Sequence, residues 1–212
     1  TFLFLYFFKE GLLFLKAFTN KKEGNLIFPF KKQIYSKKII GIGSVERGLG
    51  TTHIALTLAN FICSKMGMKT AYIELNSTNQ IHEISRTQGK PSFTHKGVVF
   101  YPNTTVTSLP EILHKEYRYF ILDMGVLSTH TSAEFLRCDK SFLVCSPNLW
   151  RRSQIREKIE VLFHYQQQNC FSLIMNLTDK RSTLTTFFDD YEQLYFPYIS
   201  NPFQLEPHNF YA

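Results

Sequence analysis

No two of the four cysteines, Cys63, Cys138, Cys145 and Cys170, stand in C-x-x-C spacing, and all four sit in apolar segments. Disulfides and a zinc site are therefore disfavoured, buried reduced thiols are expected, and a cytoplasmic setting follows. The chain has no nucleophile-elbow motif and no Ser/His/Asp spacing, so nothing marks it as a hydrolase of that kind. It also lacks a clean membrane span, which needs roughly 20 apolar residues. The opening run TFLFLYFFKEGLLFLKAF is broken by Lys9, Glu10 and Lys16, and a signal peptide would carry its basic residues before the apolar core. Beyond the first 37 residues there is no internal repeat and no low-complexity tract, which excludes repeat architectures.

What remains is ordinary globular composition: 212 residues, 44% hydrophobic and 19% charged, enough for one substantial core. The net charge of +7 invites a nucleic-acid or anionic-membrane reading. Its location argues otherwise. Residues 1–38 hold eight lysines against two glutamates, +6 of that total, which leaves +1 for the rest of the chain. Domain charge therefore does not support nucleic-acid binding. The basic, Phe-rich leader, residues 1–37, has three readings: a peripheral membrane or partner-binding segment, an extra element packed on the domain, or a stretch translated from upstream of the true start. The absence of an initiating Met fits the third, and a chain beginning near Gln33 that still folds would support it.

The organising stretch is Ile39 to His53, IIGIGSVERGLGTTH, which reads as a buried strand, a glycine turn and a helix. Such a turn exposes backbone N–H groups beside the positive end of a helix, the place for a phosphate. Gly41, Gly43, Gly48 and Gly50 permit it. A standard phosphate loop also needs a lysine and a magnesium-binding hydroxyl. Here Gly50 is followed by Thr51, Thr52 and His53, so the hydroxyl is present and the lysine is not.

Apolar runs and helical spacing predict strands over Lys38–Gly43, Lys69–Leu75, Arg118–Asp123, Lys140–Cys145 and Cys170–Asn176. They predict helices over Thr52–Lys65, Glu111–Glu116, near Ala133–Arg137, over Pro147–Gln168, and a polar one from Thr178 through Phe187 and Leu194. Asn76 to Pro110 shows one short strand in GVVFYPN, and the prolines of YFPYISNPF limit any terminal strand to a few residues. The alternating order implies an α/β fold, a mostly parallel sheet with helices on both faces. Ligands bind at the carboxyl ends of such strands, which sets Asp123, ending its strand, opposite the glycine loop.

With these pieces placed, the chain resembles the ParA/MinD group of P-loop ATPases, including the TadZ relatives, from about Lys38 to Phe203. The group's phosphate loop, K-G-G-x-G-K-T-T, lies over Glu46, Arg47, Gly48, Leu49, Gly50, Thr51, Thr52 and His53, and both of its lysines are replaced, by Glu46 and Thr51. A D-x-D motif falls on Glu74, Leu75 and Asn76, whose amide cannot orient water as an anion would. The magnesium-linked aspartate falls on Asp123, with Thr52 as the metal hydroxyl, and the asparagine beside the base falls on Asn176. The resemblance implies a three-layer P-loop NTPase domain over residues 38–212, with ATP or ADP and magnesium as its low-affinity ligands. Phosphoryl transfer depends on positioning and charge stabilisation. Losing the lysine removes part of the latter, Glu46 reverses the local sign, and Arg47 compensates in part.

The expected function is thus a bacterial, cytoplasmic positioning, assembly or regulatory factor that binds protein partners, with a homodimer possible and hydrolysis weak or absent. Two alternatives stay open: an active ATPase using Arg47, Asn76 and Asp123 with Arg47 or a partner residue replacing the lysine, and a membrane- or DNA-associated adaptor acting through the leader. Single residues have plainer readings as well. Thr51 and Thr52 could cap the helix, and His53 reads as a first-turn residue rather than a metal ligand. Asn176 and Asp179 faintly resemble a guanine-binding motif, and Arg151 and Arg152 read as a solvated helix start beside a half-buried Trp150.

Overall fold

The computed structural model describes residues 36–84, 89–146, 148–163, 170–176, 188 and 190–205. The leader through residue 35, Asp179, and the polar helix expected from Thr178 through Phe187 lie outside the described residues.

Eight strands form one sheet: β1 (Lys38–Ser44), β2 (Thr70–Glu74), β3 (Phe93–His95), β4 (Val98–Tyr101), β5 (Tyr119–Val126), β6 (Lys140–Cys145), β7 (Ser172–Met175) and β8 (Gln193–Tyr195). Their order is β3-β4-β2-β5-β1-β6-β7-β8. All neighbours run parallel except β3, which pairs antiparallel with β4 at the edge. The α-helices among the described residues are α1 (Thr51–Ser64), α2 (Leu109–Leu113), α3 (Thr129–Leu136) and α4 (Arg152–Phe163).

Successive strand side chains point to opposite faces, and both faces are covered. Ile40, Ile42, Tyr72, Ile121, Phe142 and Ile174 pack with Ile54, Leu58 and Ile62 of α1, closed over by Phe196, Ile199 and Leu205. Ala71, Ile73, Phe120, Leu122, Leu143 and Leu173 pack on the other face with Ile112 of α2, Phe135 of α3 and Ile155, Ile159 and Phe163 of α4. Double burial explains why these strands read as continuous apolar runs rather than alternating ones. The expected three-layer α/β architecture is the observed one. Among the described residues no helix is long and apolar enough to cross a membrane.

Boundaries differ where local chemistry was hidden. α2 begins two residues before Glu111, because Pro110 sits in its first turn, where a missing N–H costs nothing. α3 reaches back to Thr129 because Ser128 and Thr131 form a reciprocal cap, Ser128 Oγ accepting from Thr131 N and Thr131 Oγ1 accepting from Ser128 N at 2.9 Å. The usual signature has Glu or Gln at that third position, so its start went unread. β3 was not foreseen, and Leu194, expected on a helix, is the buried centre of β8, paired with Ile174. Trp150 is 78% exposed rather than half-buried. The cysteines are free, but only Cys145 is buried and Cys170 is exposed; burial pushes the Cys138 and Cys145 thiols up to about 12.

Candidate functional site

The loop from Val45 to Gly50 joins the carboxyl end of β1 to α1. Gly50 is the N-cap of α1, with φ 86°, and among the described residues no side chain caps this end. Thr51 and Thr52 are therefore the first helical residues rather than caps. The first N–H groups of a helix have no partner within it, and here they border a cleft of about 1340 Å³ lined by Arg47, Gly48, Gly50, Thr51, Thr52 and His53. The opposite wall comes from the ends of β2, β4 and β5: Asn76 to Thr78, Gln80, Asn103 to Val106, and Met124 to Val126. Among the described residues, Arg47 is the only lysine or arginine lining it. Gly41 and Gly43, by contrast, lie within β1 rather than in the turn. A Cβ at Gly41 would stand 2.8 Å from Cys138 Sγ, and one at Gly43 2.7 Å from Leu127, so these glycines serve close packing.

Asp123 faces Ile42 on β1 and Glu74 on β2 in register, which puts the two acidic residues on neighbouring strands, buried behind the cleft. β5 does not end there: it continues to Val126 through an irregularity, Ile42 pairing with Asp123 but Ser44 with Val126. The Asp123 carboxylate is completely buried. Its Oδ2 accepts from Thr52 Oγ1 at 2.7 Å and from Tyr72 OH at 2.6 Å, and its Oδ1 accepts from Gly125 N at 3.1 Å. Burial raises its pKa above the usual carboxylate value and Glu74 adds to the rise, while these three donors oppose it. Burial, and then the neighbouring Asp123, push the Tyr72 phenol well above its ordinary value.

These contacts separate the two residues matched to a metal. Thr52 lines the cleft, and its oxygen, which donates its proton to Asp123, keeps lone pairs for a cation. Asp123 has no exposed surface and does not line the cleft. This matched pair thus offers one hydroxyl oxygen and no accessible carboxylate, and Glu46, the one carboxylate among the described lining residues, has its two oxygens paired with Arg151 and Lys158, which together are a poor fit to a hard divalent cation. Among the described residues no group of three or more His, Cys, Asp or Glu could hold a metal either.

The other predicted residues are placed as follows. Glu46, matched to a lysine, is held by Arg151 and by Lys158 of α4, each at 2.9 Å. Its charge is thus balanced by Arg151, just before α4, and by Lys158 on it, not by Arg47, which is exposed on the cleft. Asn76 donates to the backbone oxygen of Asp123 at 3.1 Å and accepts from Thr78 N at 3.0 Å, so its amide builds the turn after β2. Glu74 is fully buried and accepts from the backbone N–H of Gln80, Ile81 and Asn103, tying together two cleft loops. His53 Nε2 bonds to Ile199 O at 2.7 Å, as befits a helix residue anchoring the C-terminal segment. Asn176 donates to Leu49 O at 2.8 Å from behind the loop, and neither it nor Leu49 lines the cleft.

Sequence reasoning missed Tyr72 and Lys158, and it read Arg151 as a solvated helix start rather than as a partner of Glu46. A tyrosine inside an all-buried strand is the one signal that was available, since its hydroxyl must find a partner.

A parallel sheet carrying a glycine loop after its first strand, with the helix end open to a cleft, can be compared with solved structures. A ParA family ATPase from Chlorobium tepidum matches with a TM-score of 0.57 at 14% identity, over 78% of this chain and 85% of that chain. The fold is that of the ParA/MinD ATPases. A chain of the MinC:MinD cell division complex of Aquifex aeolicus matches with a TM-score of 0.55 at 17% identity, over 80% of this chain and 82% of that one. A plasmid partition protein from Borrelia burgdorferi, solved with AMPPNP, matches with a TM-score of 0.51 at 16% identity, over 73% and 81%. Neither a family model nor a curated protein matches the sequence, so the ParA/MinD likeness is carried by the fold.

Proposed function

We propose that this chain is a ParA/MinD-like protein that binds ATP or ADP in the cleft after β1 and works by binding protein partners, as a positioning, assembly or regulatory factor with weak or absent hydrolysis. One observation carries the reading: the cleft has an uncapped helix end suited to phosphate, yet among the described lining residues only Arg47 is a Lys or Arg. In this reading Gly48, Gly50, Thr51 and Thr52 hold the phosphates through backbone N–H groups and hydroxyls, and Leu49 and Asn176 brace the loop. Binding through fixed dipoles survives loss of the lysine, whereas stabilising charge that develops in the transition state does not. The AMPPNP-bound partition protein and the MinC:MinD complex among the fold neighbours agree with a nucleotide ligand and a protein partner.

The test combines thermal shift with ATP, ADP and GTP and a phosphate-release assay. The expected result is stabilisation by a nucleotide without turnover above the blank. Robust turnover abolished by Asp123→Ala overturns the reading, and no shift with any nucleotide removes its nucleotide part. A second reading, an ATPase completed by Arg47 or by a partner's residue, is favoured by the exposed Arg47 and by Val106 and Val126, 40% and 42% exposed at the cleft rim. It requires turnover that emerges only on raising protein concentration or adding a partner.

A further inference from the structure

Tyr72 is a buried residue whose polar tip has a single destination. It lies on β2, is completely buried, and its hydroxyl donates to Asp123 Oδ2 at 2.6 Å. The same oxygen accepts from Thr52, and Oδ1 accepts from the N–H of Gly125. With its residue 0% exposed and absent from the cleft lining, that carboxylate faces neither solvent nor a cation bound in the cleft. Divalent ions that serve phosphates keep several waters and are held by one or two carboxylates facing the site. Here Asp123 is turned inward and closed off by a phenol from the neighbouring strand, and Glu46, the carboxylate that does line the cleft, is taken up by Arg151 and Lys158.

We infer that the cleft binds its nucleotide without need of a divalent cation, and that Tyr72 is the positioning residue that keeps Asp123 out of reach of one. The inference rests on the nucleotide-binding reading above and specifies the ionic form of the ligand. Phosphate charge is then met by the open end of α1 and by Arg47, which lie on the cleft, rather than by a metal. Asp123 serves instead as a buried anchor that fixes Thr52 on the first turn of α1.

The experiment titrates the full chain with ADP and with ATP by calorimetry, once in magnesium chloride and once in EDTA, for wild type and Tyr72→Phe. In wild type the two dissociation constants should agree within about twofold, a negligible free-energy difference. Tyr72→Phe frees an acceptor site on Asp123 and should make magnesium tighten binding by about fivefold or more. Because the readout is a ratio within each protein, general loss of stability does not mimic it. Tight binding that strengthens tenfold with magnesium in wild type overturns the inference while leaving the nucleotide reading intact, and that ratio decides alone if Tyr72→Phe fails to fold. A Tyr72→Phe ratio equal to wild type overturns the role of Tyr72. No binding of either nucleotide under either condition overturns both readings.

Discussion

Replacing Gly50 with alanine tests how the glycine loop is braced, and its cost has two separable parts. Gly50 has φ +86°, a left-handed conformation that costs an L side chain about 1–2 kcal/mol. A Cβ there would also stand 2.5 Å from Asn176 Nδ2, the atom that donates to Leu49 O in a buried bond of 2.8 Å. The carboxamide must swing away, and losing that bond while a buried carbonyl stays unpaired costs about 1–3 kcal/mol. Gly48 separates the two parts: its φ is +78°, but nothing lies within 4 Å of a Cβ built there. Gly48→Ala should therefore cost about 1–2 kcal/mol and Gly50→Ala about 2–5 kcal/mol. In the Gly50→Ala/Asn176→Ala double variant the second part has already been lost, so the cycle should show a coupling of about 1–3 kcal/mol. Urea unfolding followed by far-ultraviolet circular dichroism measures all five proteins: wild type, Gly48→Ala, Gly50→Ala, Asn176→Ala and the double variant. Equal costs at Gly48 and Gly50, with a cycle additive within about 0.5 kcal/mol, would refute the brace.

Two further outcomes follow from the charges around the site. Glu46→Gln breaks the contacts to Arg151 and Lys158, whose side chains are 43% and 48% exposed, so solvent screening limits the loss to about 0.2–1 kcal/mol. The deficit should vanish at high salt in parallel urea titrations, and a deficit unchanged by salt contradicts the ion-pair account. Asp123 gives a pH dependence. Burial raises its pKa in the folded state, so the native protein holds this proton more tightly than the unfolded chain. Its contribution to stability is present below the ordinary carboxylate value and is lost as pH rises through the folded value. The stability of wild type minus that of Asp123→Asn should then fall as pH goes from about 4 toward neutrality. A difference that grows with pH would show that the donors around Asp123 outweigh its burial.

The amino-acid sequence by itself determined the layers and the place of the cleft. β6 was readable to the residue, Lys140 to Cys145, because an apolar run between charged and turn residues has only one way to be buried in a sheet covered on both faces. The glycines and threonines after β1 marked the helix end that borders the cleft, since backbone geometry depends on a few consecutive residues. What only the tertiary structure decided was the electrostatics. Glu46 read as a reversal of charge in the loop, yet its partners stand 105 and 112 positions later in the chain. Asp123 read as a carboxylate open to the cleft, yet Tyr72, 51 positions earlier on the next strand, closes it. Charge interactions depend on separation in space and on exclusion of water, and spacing along the chain carries neither.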